Sequence, residues 1–156
     1  MRMSHFVVRD ACLPTLAGTT REAVVRELVQ GLHAAGALPT ADLDEVVKAV
    51  LRREQLGSTG IGRGIAIPHS RYASVSQLVG AVGLSKLPDK VPFDSIDGDP
   101  VDIFVLLISP QDRPGDHLRA LENVVQTMKD DAVTAALRAC TTRDQMWELI
   151  GGAKAG

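Results

Sequence analysis

The stretch Val101-Asp102-Ile103-Phe104-Val105-Leu106-Leu107-Ile108-Ser109, fenced by Pro100 and Pro110, constrains the fold more than any other. From Ile103 to Ile108 no polar residue alternates with the apolar ones. A strand of that kind is covered on both faces, so layers must lie above and below it. The same run is far too short to cross a bilayer, which excludes direct membrane insertion through it.

The covering layers are legible as helical patterns. Arg21 to Ala35 carries Val25, Leu28, Val29 and Leu32 on one stripe, with Thr19 and Glu22 forming a capping box and Gly36 as the stop. A second helix follows Pro39-Thr40, with Leu43, Val46, Val47, Val50 and Leu51 in phase. After the apolar strand, Asp116 is placed to cap a third helix whose buried stripe is Leu118, Leu121, Val125 and Met128. Asp130 or Asp131 caps a fourth over Val133 to Cys140, and Thr142 a last one carrying Met146, Trp147, Leu149 and Ile150. Short strands are expected at Ile65 to Ile67, ended by Pro68, and at Leu78 to Leu84, with a turn at Asp97-Gly98. With 156 residues, this predicts a single α/β domain over 1–156, core about 6–150, sandwiched around a mostly buried sheet.

A net charge of -2 without a basic run excludes a general nucleic-acid surface. The N-terminus has no apolar signal core, and Cys12 and Cys140 belong to no metal or redox spacing. Both read as small buried thiols in a reducing cytosol.

Chemistry concentrates in Ser58-Thr59-Gly60-Ile61-Gly62-Arg63-Gly64-Ile65-Ala66-Ile67-Pro68-His69-Ser70-Arg71. No Gly-Lys-Ser/Thr follows the glycines, so this is no nucleotide-gripping loop, and a strand rather than a helix follows, unlike a dinucleotide fingerprint. What remains is either a plain glycine-rich turn or a row of backbone N–H groups at Gly60, Gly62, Gly64 and Ile65 suited to a phosphoryl group. His69, presented by the stiff Pro68, is a candidate nucleophile, with Arg53 and Arg71 as charges for a bound dianion. His117, in the first turn of the third helix, is the second candidate, with Asp112 and Asp116 nearby to orient it or to cap. Arg63 reads as a solvated side chain, and His5 and His33 take no role. A metal held by His69 and His117 lacks a third ligand at characteristic spacing, and no nucleophile elbow supports a serine triad.

Arg53-Glu54-x-x-Gly57-Ser58-Thr59-Gly60-Ile61-Gly62-x-Gly64-Ile65-Ala66-Ile67-Pro68-His69 closely resembles the signature of the fructose/mannitol/nitrogen class of enzyme IIA domains. These domains belong to the bacterial phosphoenolpyruvate-dependent phosphotransferase system. The likeness extends to Phe93-Asp94-Ser95-Ile96-Asp97-Gly98-x-Pro100-Val101-Asp102, to the apolar strand and to His117-Leu118-x-x-Leu121. It implies a mixed sheet flanked by helices and a phosphocarrier without cofactor or metal. His69 would accept the phosphoryl group from the phosphohistidine of HPr or a paralogue. His117 and Arg53 would stabilise it, and a IIB domain or a regulated target would receive it. Ser70-Arg71 settles no subclass, and Glu122-Asn123 stands where many relatives carry small or apolar residues. Neither the membrane spans of a permease nor a CxxxxR phosphocysteine site is visible. Three functions follow: a stand-alone cytoplasmic nitrogen-regulatory IIA first, the IIA component of a fructose- or mannitol-type transporter second, and a non-catalytic interaction module third.

Overall fold

In a computed structural model, which describes residues 2–152, the chain runs β1 (Val7–Leu13), α1 (Arg21–Ala34), α2 (Leu43–Gln55), β2 (Gly60–Gly62), β3 (Ile65–Ala66), β4 (His69–Arg71), β5 (Val79–Leu84), β6 (Ile103–Ser109), α3 (Pro114–Met128), α4 (Asp131–Ala139) and α5 (Arg143–Gly152). The flanks of the expected domain at residue 1 and at 153–156 lie outside the described residues. The sheet order is β1-β5-β6-β3-β2, with β4 also on β6. It is mixed: β5 runs antiparallel to β6, whereas β1 on β5, and β3 and β4 on β6, are parallel.

Every residue of β6 is buried, as the unbroken apolarity of its first six residues requires. The period of two sends Phe104, Leu106 and Ile108 into a core with Val24, Val25, Leu28, Val46, Val47 and Val50 of α1 and α2. Ile103, Val105 and Leu107 enter a second core with Val124, Met128, Leu137, Met146 and Ile150 of α3 to α5. Two apolar layers on one double-covered sheet account for both halves of the helical sequence. Each fully buried aliphatic side chain contributes about 1.5–3 kcal/mol before the entropy of ordering is set against it.

Several expectations change. Pro68 interrupts the strand rather than ending it. Its carbonyl accepts the Leu107 N–H at 3.0 Å, and pairing resumes with His69 opposite Leu107 and Arg71 opposite Ser109. Strand β1 was not expected: its exposed Arg9 and Asp10 break the apolar pattern, as an edge position permits. Thr20, not Thr19, caps α1 by accepting the Ala23 N–H. Asp116 does not cap α3. Its N-cap is Arg113, Pro114 opens the helix, and Asp116 pairs with Arg119. The buried face of α3 is correspondingly rotated to Ala120, Val124, Thr127 and Met128, leaving Leu118 58% exposed. Asp130 and Thr142 do cap their helices, and Cys12 and Cys140 are buried free thiols. Among the described residues no helix is long and apolar enough to cross a membrane.

Candidate active site

The side-chain parity of β3 continues through Pro68. Ile65 and Ile67 face the core beneath α3, and His69 has the same parity. Its ring meets His117, with ring centroids 5.3 Å apart and planes inclined by 58°. His69 Nδ1 lies 2.7 Å from the Ile67 carbonyl oxygen. A carbonyl can only accept, so Nδ1 carries the proton, and the neutral ring keeps its lone pair on Nε2.

His117 is the fourth residue of α3, its N–H bonded to the Arg113 carbonyl at 3.3 Å. A tight connection over 110–113 after β6 returns the chain over the same face of the sheet. That return brings His117 Nδ1 into a hydrogen bond with the Ser109 hydroxyl at the end of β6. Asp112 and Asp116, considered as orienting groups, make no hydrogen bond to either ring among the described residues.

The electrostatics keep both rings neutral at pH 7. Burial lowers the pKa of His69, the Ile67 carbonyl opposes the shift, and the charge of Arg53 adds to it. His117 is pushed down to about 4, first by burial and then by His69, Arg71 and Arg53. A neutral imidazole is the form that has a lone pair to give. Arg53 lies in the last turn of α2, donates from Nη1 to the Gly57 carbonyl at 2.8 Å, and holds its charge within reach of both rings. The structure thus brings His69, His117, Arg53 and Arg71 into one electrostatic neighbourhood.

It does not bring the glycines there. Ile65 pairs with Ile103 and His69 with Leu107, four residues further along β6, or about 13 Å at the rise of a strand. Gly62, Gly64 and Ile65 therefore form no cradle at His69, and Gly60, opposite Ala66, also falls short of the ring. Gly60 and Gly62 instead admit the 95–97 loop: a Cβ at Gly60 would lie 2.3 Å from Ser95 Oγ. Arg63 is exposed, as expected of a solvated side chain, and there it pairs with Asp131.

Two residues at the site have a role that the sequence alone does not assign. Ser109 ends an otherwise apolar strand on the α3 side, and that odd polar residue was the available signal. Glu54 falls four residues after Val50, in phase with the buried stripe of α2. It is 3% exposed and accepts from the Thr59 N–H at 3.1 Å and from the Thr59 hydroxyl. With Arg21 as its counter-charge at 4.0 Å, it ties the end of α2 to the segment that leads into β2. Among the described residues, no group of three or more His, Cys, Asp or Glu side chains is arranged to hold a metal.

The sequence and the fold have counterparts among known proteins. A nitrogen regulatory protein of Bradyrhizobium diazoefficiens is 29% identical over 150 residues, spanning 96% of this chain and 95% of its own. The 2-O-alpha-mannosyl-D-glycerate-specific EIIABC component of the PTS of Escherichia coli is 31% identical over 152 residues. That alignment spans 96% of this chain and 22% of the longer relative. The crystal structure of nitrogen regulatory protein IIA-Ntr from Neisseria meningitidis superposes with a TM-score of 0.83 at 26% identity, covering 95% of this chain and 98% of that one. The model of the phosphoenolpyruvate-dependent sugar phosphotransferase system EIIA 2 family matches residues 9–152, both core layers and both histidines included. With sequence model, fold and relatives in agreement, the chain belongs to the EIIA 2 family of that phosphotransferase system.

Proposed function

We propose that this chain, read as one IIA domain over 1–156, carries a phosphoryl group on Nε2 of His69. The observation that carries the reading is the bond from Nδ1 to the Ile67 carbonyl, which leaves Nε2 bare beside a second neutral ring. The lone pair of Nε2 forms the new N–P bond as the N–P bond to the donor histidine breaks. The donor ring takes back that electron pair. The His69 ring becomes more positive as it binds phosphorus, and the Ile67 carbonyl meets that change at Nδ1. Transfer between two imidazoles is then a matter of positioning and of stabilising three equatorial oxygens. His117 and the guanidinium of Arg53 are the groups for those oxygens.

The donor is the phosphohistidine of HPr or a paralogue, and the acceptor a IIB domain or a regulated protein, in the cytoplasm. The likeness to nitrogen regulatory proteins over nearly the whole chain favours a nitrogen-regulatory IIA. A transport role is the second reading, favoured by the likeness to part of a sugar-specific EIIABC component.

Incubation with phosphoenolpyruvate, enzyme I and HPr, followed by intact mass measurement at alkaline pH, tests the site. One acid-labile phosphoryl adduct is expected, absent from His69→Ala. An adduct that persists in that variant would move the site elsewhere. His117→Ala is expected to retain part of the uptake and to be impaired in onward transfer. Unimpaired transfer in that variant would remove His117 from the reaction.

A further inference from the structure

The two rings are held by different kinds of partner. The partner of His69 is a backbone carbonyl, which fixes the proton on Nδ1. The partner of His117 Nδ1 is a hydroxyl, which can either donate or accept. Ser109 is 0% exposed, and among the described residues its hydroxyl has no hydrogen-bond partner besides His117. If Nδ1 donated to Oγ, the serine hydrogen would be left buried and unpaired, at the full cost of desolvating a donor. If Oγ–H donates to Nδ1, every buried hydrogen at this contact is paired.

We infer that Ser109 is a positioning residue that fixes the tautomer of His117. Its hydroxyl donates to Nδ1, so the one ring proton of His117 stands on Nε2 as a donor for an incoming phosphoryl oxygen. The low basicity of His117 keeps the ring in its one-proton form at pH 7. The site thereby holds its two histidines in opposite tautomers. His69 offers a lone pair on Nε2 and His117 offers a proton on Nε2, so attack on phosphorus and a hydrogen bond to its oxygen need no proton exchange between them. The alternation of β6 supplies the device: Ser109 shares parity with Leu107 and Val105, so its side chain emerges on the α3 face where His117 arrives. The inference rests on the phosphocarrier reading for its purpose, though not for its geometry.

Long-range proton–nitrogen correlation of the 15N-labelled, unphosphorylated chain at pH 7 reads both tautomers directly. His69 is expected to be protonated at Nδ1 and His117 at Nε2. A His117 protonated at Nδ1 overturns the inference. In Ser109→Ala the His117 signature is expected to become mixed while that of His69 stays. Phosphoryl uptake per folded molecule should fall about tenfold, the scale of one hydrogen bond, and Ser109→Thr should restore both. An unchanged tautomer or an unchanged rate in the alanine variant overturns it as well. The nitrogen measurement uses no phosphoryl donor. A chain with the stated tautomers that takes up no phosphoryl group would therefore sink the phosphocarrier reading alone.

Discussion

The two ends of the β3–β4 segment meet the same strand, β6, each with an arginine at hand, and have opposite characters. At the far end, the main-chain groups around Gly64 and the Asp102–Arg138 ion pair are committed to the fold. The Gly64 carbonyl accepts the N–H groups of Asp102 and Ile103, at 2.9 and 3.0 Å. Arg138 grips the Asp102 carboxylate through Nε and Nη2 and donates to the Arg63 carbonyl at 2.6 Å. At the near end, two imidazoles are each fixed through one nitrogen and keep the other free, in a setting that holds both neutral. Capacity for chemistry lies where groups are desolvated and oriented yet not consumed by the fold. The glycine motif that draws the eye in the sequence is, in space, the structural pole.

The strongest way to break that contrast is to disturb the far end and watch the near one. Gly64 has φ +78°, and a Cβ there would lie 2.8 Å from Asp102 Oδ1 and 2.9 Å from Arg138 Nη2. Gly64→Ala combines a left-handed backbone with a displaced ion pair and should lose about 2–3 kcal/mol in denaturant unfolding. Phosphoryl uptake per folded molecule should be unchanged. A variant of full stability that no longer accepts phosphate would restore the glycines to the chemistry.

That reversal shows what a sequence can and cannot carry. The double-covered strand, the two helix layers and the pairing of His69 with His117 follow from periodicity and motif, because burial on both faces leaves β6 few alternatives. The cradle expected at Gly60, Gly62, Gly64 and Ile65 does not form at His69, because nearness along the chain is not nearness in space. A strand advances more than 3 Å per residue, so four positions carry the turn clear of His69. Ser109 and Glu54 stand inside legible stretches, but their roles are not readable there, because a buried polar residue gains meaning only from the partner opposite it. Strand β1 is not legible in the sequence because Arg9 and Asp10 lie mid-strand, where an edge position lets them reach water.

The near end can be probed by acid. His117 titrates near 6.5 in an unfolded chain and at about 4 in the folded one. Between those values the unfolded state binds the proton more readily. The stability that goes with the neutral ring is therefore fully present above pH 6.5 and is lost as pH falls toward 4. The lowered pKa of His69 acts in the same direction. Screening at these half-buried rings reduces the His117 contribution to about 1 kcal/mol. Comparing unfolding of the wild type and His117→Asn at pH 7 and at pH 4.5 isolates it from the carboxylates, and the variant should lose less on acidification. Equal losses would show that burial does not set the basicity of this ring.

The smallest expected effect tests whether the far end is held by its backbone or by its side chains. Arg63 has φ +59°, a left-handed conformation that costs a residue with a Cβ about 1–2 kcal/mol. Its N–H donates to Asp97 Oδ2 at 2.9 Å and its carbonyl accepts from Arg138, both of which survive any side-chain change. Its guanidinium pairs with Asp131, whose side chain is 90% exposed, and a pair so open to water is worth about 0–1 kcal/mol. Arg63→Gly removes that pair and relieves the backbone, while adding chain freedom of about 0.5–1 kcal/mol to the unfolded state. The three terms nearly cancel, so stability should stay within about 0.5 kcal/mol of wild type in urea unfolding. A loss above about 1 kcal/mol would show that the Arg63–Asp131 pair, rather than the main-chain bonds around Gly64, fastens this turn to α4.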